Sequence, residues 1–376
     1  MNDVVAGAAA ARRIPWWQPQ LAESEEHLVV AVLRSNYLNE GDVTAAFERE
    51  AAAMFGAQHG VATTSGTTAI FLALAALGIG HGDEVIVPDV TFIATANAVT
   101  LTGAIPVLVD VDPSTLALDP LAFERAVTQR TKAVVPVHVS GRAADMDAIL
   151  EVSRRRGIAV VEDAAEALLS KYQGRCLGTL GVMGCYSFSP NKTITTGQGG
   201  LVVTDDDALA VRLRELKDQG RPVRGTGGND VHAVIGFNFK MTNLQAAVGV
   251  GQLARLETRA AHLRDLYRWY QAGLDGVTGI RLMPFDVEHG ETPQWVDAIA
   301  QHRDALVEHL RRLDMHCRPF WFPIHTQVPY AKPDAGYPVS SRLMPSAVWL
   351  PSALQLTEDD VRLVCQEIRL FYERLT

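Results

Sequence analysis

From Gly60 onward, short apolar runs rich in Val, Ile and Ala alternate with segments of helical spacing. "GVATT", "EVIVP", "IPVLVDV", "KAVVPVHV" and "IAVVEDA" have strand character. "TTAIFLALAALG", "FIATANAVTLTGA", "PLAFERAVT" and "DMDAILEVSRRRG", set between them, have helix character. A strand that is apolar on both faces must be covered on both faces. The alternation therefore predicts an α/β fold with a mainly parallel sheet flanked by helices. "GCYSFS" and "GGLVVTD" add further strands, and "DDALAVRLRELKDQG" a further helix.

The pattern changes twice more. A long amphipathic run, "TNLQAAVGVGQLARLETRAAHLRDLYRWYQAGL", carries the chain away from the sheet. After about Gly276 come short strands and two helices, "HRDALVEHLRRLD" and "TEDDVRLVCQEIRLFYERL", the composition of a smaller α+β domain. We expect residues 1–250 to form an N-terminal arm and a large α/β domain, and residues 251–376 a connecting helix and the small domain. A chain of 376 residues has room for both cores.

Charge and composition exclude several classes. A net charge of −9 argues against nucleic acid as the main partner, because phosphate binding needs a basic face. The four cysteines are scattered, without zinc-ligand or CxxC spacing, and are expected to be reduced thiols. The N-terminal stretch lacks the apolar core and cleavage site of a signal peptide. The apolar stretch from Val85 to Val111 is interrupted by Pro88, Asp89, Asn97 and Pro106, so it does not span a membrane. A soluble, cytoplasmic protein is expected. "GIGHGD", at Gly78 to Asp83, resembles a dinucleotide-binding glycine cluster, but it follows a helix and precedes a strand, the wrong order for that motif.

Three short stretches carry chemistry. "TTSGTTAI", Thr63 to Ile70, has the order strand, small polar loop, helix. Such a helix start can cradle a phosphate with backbone N–H groups and the hydroxyls of Ser65, Thr67 and Thr68, or it can simply be an N-capped helix. "VVEDAAEA" places Asp163 at the carboxyl end of a buried strand, where ligands of parallel sheets gather, or where an Asp caps the next helix. "FSPNKTITTGQGG" holds Lys192 among small residues. Such a lysine is either a partly desolvated nucleophile toward carbonyls or a solvated surface residue. Taken together, the three match the needs of pyridoxal 5'-phosphate: a cradle for the phosphate, an anion for the ring nitrogen and an amine for a Schiff base.

The chain resembles the DegT/DnrJ/EryC1/StrS family of sugar aminotransferases. The resemblance runs from "IPWWQPQL" through "TSGTTAI", "VPDVTFIATANAV", "GAIPVLVDVD", "VEDAAEAL", "YSFSPNKTITTGQGG", "GFNFKMTNLQAA" and "RPFWFPIHTQVPY" to "LPSALQLTEDDV". It implies the fold-type I aminotransferase architecture, with a seven-stranded type of sheet. It also implies that Lys192 forms the Schiff base and shuttles the proton, and that Asp163 pairs with the pyridinium nitrogen. By the same resemblance Ser65, Gly66 and Thr67 hold the phosphate with Ser187 as a further donor, Phe92 stacks on the ring, and Glu166 lies near the ring hydroxyl. Asn238 would reach the phosphate of the other subunit, which implies an obligate homodimer with shared active sites. His325 and Lys240 would contact the substrate, a nucleotide-linked 4-keto-6-deoxy sugar aminated at the expense of L-glutamate.

On the residues alone, Phe92 could be core, Ser187 could face the other side of its strand, Asn238 could be a turn residue and His325 could be structural. Two positions depart from the family pattern: Gln198 stands where Glu is usual, and Lys240 where Arg is common. Relatives that act as dehydratases carry His in place of the lysine, which Lys192 argues against. Amination of a cyclitol ketone or a keto-acid sugar, or a non-catalytic sensor of the same fold, remain alternatives at this level.

Overall fold

The computed structural model describes residues 13–222 and 230–375. Two helices, α1 (Glu23–Ser35) and α2 (Asp42–Phe55), precede β1 (His59–Thr63), α3 (Gly66–Ala76) and β2 (Glu84–Pro88). The chain continues through α4 (Ala94–Leu101), β3 (Ile105–Val109), α5 (Pro120–Ala126), β4 (Thr131–Val134), α6 (Met146–Arg156) and β5 (Ala159–Asp163). A small hairpin, β6 (Lys171–Tyr172) and β7 (Arg175–Cys176), leads to β8 (Met183–Ser187), β9 (Gly200–Thr204) and α7 (Asp207–Lys217).

Seven strands form one sheet in the order β1-β9-β8-β5-β4-β2-β3. The run from β8 to β3 is parallel, and β9 is antiparallel to both of its neighbours. Helix α3 explains why the core is so apolar here. Ala69 to Leu74 are all buried, so this helix is covered on every side, as the central helix of such a sheet must be. Its start is fixed by a capping box, with Ser65 Oγ accepting from Thr68 N–H at 3.2 Å and Thr68 Oγ1 accepting from Ser65 N–H at 2.9 Å.

The long amphipathic run is two helices, α8 (Asn243–Leu253) and α9 (Leu256–Leu274), separated at Ala254 and Arg255. Helices α1 and α2 pack on α8, whereas α9 packs on the C-terminal helix. Beyond α9, strands β10 (Ile280–Leu282), β11 (Asp297–Ala300), β12 (Arg318–Pro319) and β13 (Ala347–Trp349) form an antiparallel sheet in the order β10-β11-β13-β12. Helices α10 (Arg303–Arg312), α11 (Pro338–Leu343) and α12 (Glu358–Glu373) complete this lobe.

The N-terminal arm does not pack where a simple split of the chain puts it. Ile14 bridges to Met315 and sits in the apolar core of the second lobe, and Trp16 stacks against Trp295 and Trp349. The tryptophans announce a need for burial, but the surface that buries them comes from the far end of the sequence. The lobes are also tied by Arg142, which follows β4. It is buried, with Nη2 2.6 Å from Asp297 Oδ1 on β11 and Nε donating to Pro284 O at 2.7 Å. Among the described residues, no helix is long and apolar enough to cross a membrane.

Candidate active site

The carboxyl ends of the parallel strands meet the start of α3 and the second sheet around a cavity of about 310 Å³. Ser65, Gly66, Thr67, Phe92, Asp163, Glu166, Ser187 and Lys192, which lie far apart in the sequence, all line it.

Lys192 is 9% exposed, so its amine is largely withdrawn from water. Nζ lies 3.0 Å from Glu166 Oε1 and 4.9 Å from the ring centroid of Trp295. The other oxygen of Glu166 accepts the N–H of Ser140 at 2.9 Å. Burial pushes the Glu166 carboxyl up from its ordinary range, and the Lys192 charge opposes that push.

Asp163 ends β5. Its Oδ2 accepts from Thr95 Oγ1 at 2.7 Å and its Oδ1 from Ala165 N–H at 3.2 Å. Burial pushes this carboxyl up as well, against the pull of those two donors, Lys192 and His138. A buried carboxylate in this state gains most from a cation placed against it. On the opposite face of the same strand, Glu162 accepts from His138 Nε2 at 2.9 Å and from the backbone N–H groups of Gly178, Leu180 and Gly181. Neighbouring carboxylates thus do different work: Glu162 is saturated by donors, and Asp163 faces the cavity.

The helix start is built for an anion. The capping box satisfies Thr68, and the N–H groups of Gly66 and Thr67 have no acceptor within the helix. Glycine at 66 is required by closeness: a Cβ there would lie 2.8 Å from Ser187 Cβ. Gly200 is required for the same kind of reason, since a Cβ would run into the carbonyl of Ser65. The Gln-Gly-Gly after Lys192 therefore lets β9 pass directly beneath the anion-binding turn. Ser187 faces the cavity, and Phe92 is 53% exposed at its rim, so neither is a core residue.

Three expected site residues stand elsewhere in the protomer. His325 does not line the cavity. It is fully buried, with Nδ1 2.6 Å from Asp89 Oδ2 and Nε2 3.1 Å from Asp334 Oδ1, and it stacks on Tyr337. Its geometry is that of a structural tie between the loop after β2 and the second lobe. The amine of Lys240 is engaged by Asp218, and the Lys240 backbone bridges to Thr63. Asn238 is exposed, its backbone paired with Asp218, outside the cavity of its own chain.

Other residues that shape the site left little trace in the sequence. Thr95 and Ser140 act on Asp163 and Glu166 through single hydrogen bonds. Four of the six tryptophans, Trp16, Trp295, Trp321 and Trp349, converge in one aromatic cluster, and three of them line the cavity with Arg318. So many tryptophans in a chain with few aromatics was the available signal.

The residues present fit pyridoxal phosphate. Free N–H groups and a mandatory glycine suit its phosphate, a buried carboxylate that lacks a cation suits its ring nitrogen, and a shielded amine suits its aldehyde. Fold and site together define a pyridoxal phosphate-dependent aminotransferase of fold type I. Comparison with known proteins gives the narrower placement. Residues 19–369 match the model of the DegT/DnrJ/EryC1/StrS aminotransferase family, and the chain belongs to that family. It is 41% identical to a GDP-perosamine synthase of Caulobacter vibrioides over 85% of this chain and 87% of that one. It is 36% identical to the GDP-perosamine synthase of Escherichia coli O157:H7 over 96% of this chain and 98% of that one. DesV of S. venezuelae, solved in complex with a ketimine intermediate, superposes with a TM-score of 0.92 at 34% identity, covering 97% of this chain and 100% of that one. The chain is accordingly an aminotransferase that uses pyridoxal phosphate to transfer an amino group to a sugar.

Proposed function

We propose that the enzyme aminates the 4-keto group of a GDP-linked 4-keto-6-deoxy hexose, with L-glutamate as donor, in the manner of a GDP-perosamine synthase. The sugar and its nucleotide are suggested by the two synthases that are 41% and 36% identical to this chain. One observation carries the chemistry: a lysine amine held at the cavity wall by Glu166, with the buried Asp163 carboxylate facing the same space.

When bound, pyridoxal phosphate supplies an aldehyde to receive the amino group and a ring to accept electrons. The chain does the rest. Gly66 and Thr67 orient the phosphate through backbone N–H groups, with Ser187 alongside. Asp163, oriented by Thr95 and the Ala165 N–H, would hold a proton on the ring nitrogen. Lys192 moves protons at the donor's α-carbon, and Glu166 keeps its amine aimed into the cavity. Phe92, at the rim of the cavity, would cover one face of the ring. The trio of tryptophans at the wall excludes water from the reacting atoms.

We further propose a cytoplasmic homodimer in which Asn238 of each protomer completes the other's site. The exposure of Asn238 outside its own cavity, and of Ile235 at 89%, supports this reading. The test of the proposed activity is incubation of the loaded enzyme with L-glutamate and GDP-4-keto-6-deoxymannose. Mass spectrometry should show the amino sugar nucleotide and 2-oxoglutarate in equal amounts. Turnover of a dTDP-linked keto sugar with no turnover of the GDP sugar would overturn the substrate assignment and leave the aminotransferase in place.

A further inference from the structure

Two side-chain cations line the cavity, Lys192 and Arg318. The Lys192 charge is met by Glu166. Arg318 forms no ion pair with any described residue. Its guanidinium carbon lies 4.9 Å from the ring centroid of Trp16 and 5.7 Å from that of Trp349. Two indoles hold the guanidinium in place and leave its N–H edges free, the arrangement that suits two-point recognition of an oxyanion.

The base of this side chain is fixed too. Arg318 begins β12 and pairs with Trp349 on β13, so it projects from a sheet rather than from a loop. Trp16 and Trp349 both contact Trp295, with centroids 5.1 Å and 5.0 Å away, and Trp295 is the ring beneath the Lys192 amine. Two layers of indole therefore link the guanidinium to the reacting nitrogen, Trp16 and Trp349 on the Arg318 side and Trp295 on the Lys192 side. An amino acid that enters this cavity brings carboxylates with it, and Arg318 is the lining cation left to receive one.

We propose that Arg318 binds a carboxylate of the amino donor and is the residue that selects an acidic amino acid over a neutral one. This rests on the aminotransferase reading given above. The acceptor's diphosphate is also an oxyanion, and the two sources separate because the two half-reactions can be run alone.

The test uses holoenzyme. The first half-reaction is single turnover with L-glutamate, followed by the cofactor's absorbance. The second is single turnover of the amino-loaded enzyme with the GDP-linked keto sugar. Arg318→Gln should raise the glutamate concentration for half-maximal rate by about 10- to 100-fold, the loss expected for a charge-assisted hydrogen bond. The saturating rate and the second half-reaction should hold, and Arg318→Lys should recover part of the loss. A shift confined to the second half-reaction would assign Arg318 to the diphosphate and overturn the proposal, as would no shift in either. Native enzyme needs no variant. With L-glutamine as donor the half-saturation should rise by the same factor, whereas an unchanged value, or a loss seen only with the α-amide of glutamate, contradicts the proposal, because neutral amino acids carry the α-carboxylate too. Failure of native enzyme in both half-reactions would instead defeat the aminotransferase reading.

Discussion

Lys192 Nζ and Glu166 Oε1 stand 3.0 Å apart at the cavity wall, and the second oxygen of Glu166 is anchored to the Ser140 N–H. The carboxylate thus aims the amine from a fixed point, the short turn Val139–Gly141 that follows β4. Glu166→Gln keeps the size and the anchor but removes the charge. Turnover should fall about 10- to 100-fold, the worth of a hydrogen bond to a charged group, while bound cofactor is retained. Steady-state rates alongside cofactor content check this, and unchanged turnover would remove Glu166 from the mechanism.

Asp163 predicts a pH effect. Burial raises its pKa above the ordinary 3.8, so ionising this carboxyl costs more in the folded protein than in the unfolded chain. A group raised on folding adds stability below its unfolded pKa and loses that contribution as pH rises through the folded value. The cofactor-free protein should therefore lose stability above about pH 4 from this site, whereas a protonated ring nitrogen removes the penalty in the loaded protein. The gap in Tm between loaded and free protein should widen from about pH 4 towards neutrality, and Asp163→Asn should flatten it. A gap that narrows over this range would be incompatible with the pairing.

Gly66 predicts a clash and its repair. The Cβ of Gly66→Ala would sit 2.8 Å from Ser187 Cβ, and overpacking of this kind costs about 1–3 kcal/mol. Cofactor affinity, measured by equilibrium dialysis, should fall about 10-fold or more. Adding Ser187→Gly clears the contact, so in thermal unfolding of the cofactor-free protein the double variant should be more stable than Gly66→Ala alone. A double variant no better than the single one would show that the defect is not this contact.

Ser140 holds the left-handed conformation, φ 55° and ψ 15°, and its Oγ accepts from Trp349 Nε1 at 3.0 Å. Ser140→Ala keeps the backbone strain and leaves a buried donor unpaired, a loss of about 1–3 kcal/mol. Ser140→Gly loses the same bond but relieves strain of about 1–2 kcal/mol. Thermal unfolding should rank native first, then Gly, then Ala, and Ala above Gly would contradict the strain argument.

The large sheet was legible because a strand covered on both faces must be apolar throughout, as "EVIVP" and "IAVVEDA" are. The reversal of β9 was not, since periodicity carries no strand direction. Lys192, Asp163 and the turn at Gly66 were legible because each requirement of the cofactor leaves a local residue pattern. Thr95 and Ser140 were not, because their partners, Asp163 and Glu166, are 68 and 26 positions away and only the fold brings them together. His325 shows the converse. The family resemblance places it at the substrate, but its partner Asp89 lies 236 positions away, and in this protomer the pair is buried outside the cavity. The small lobe gave weak strand signals because its strands are two to four residues long.

The account turns on the Lys192 nitrogen as the point of covalent attachment. Borohydride reduction of the cofactor-loaded protein, followed by peptide mass mapping, measures this directly. A phosphopyridoxyl mass on the peptide containing Lys192, and its disappearance in Lys192→Ala, is the predicted result. The same mass on a different lysine, or a protein that binds the cofactor yet yields no modified peptide, would contradict it.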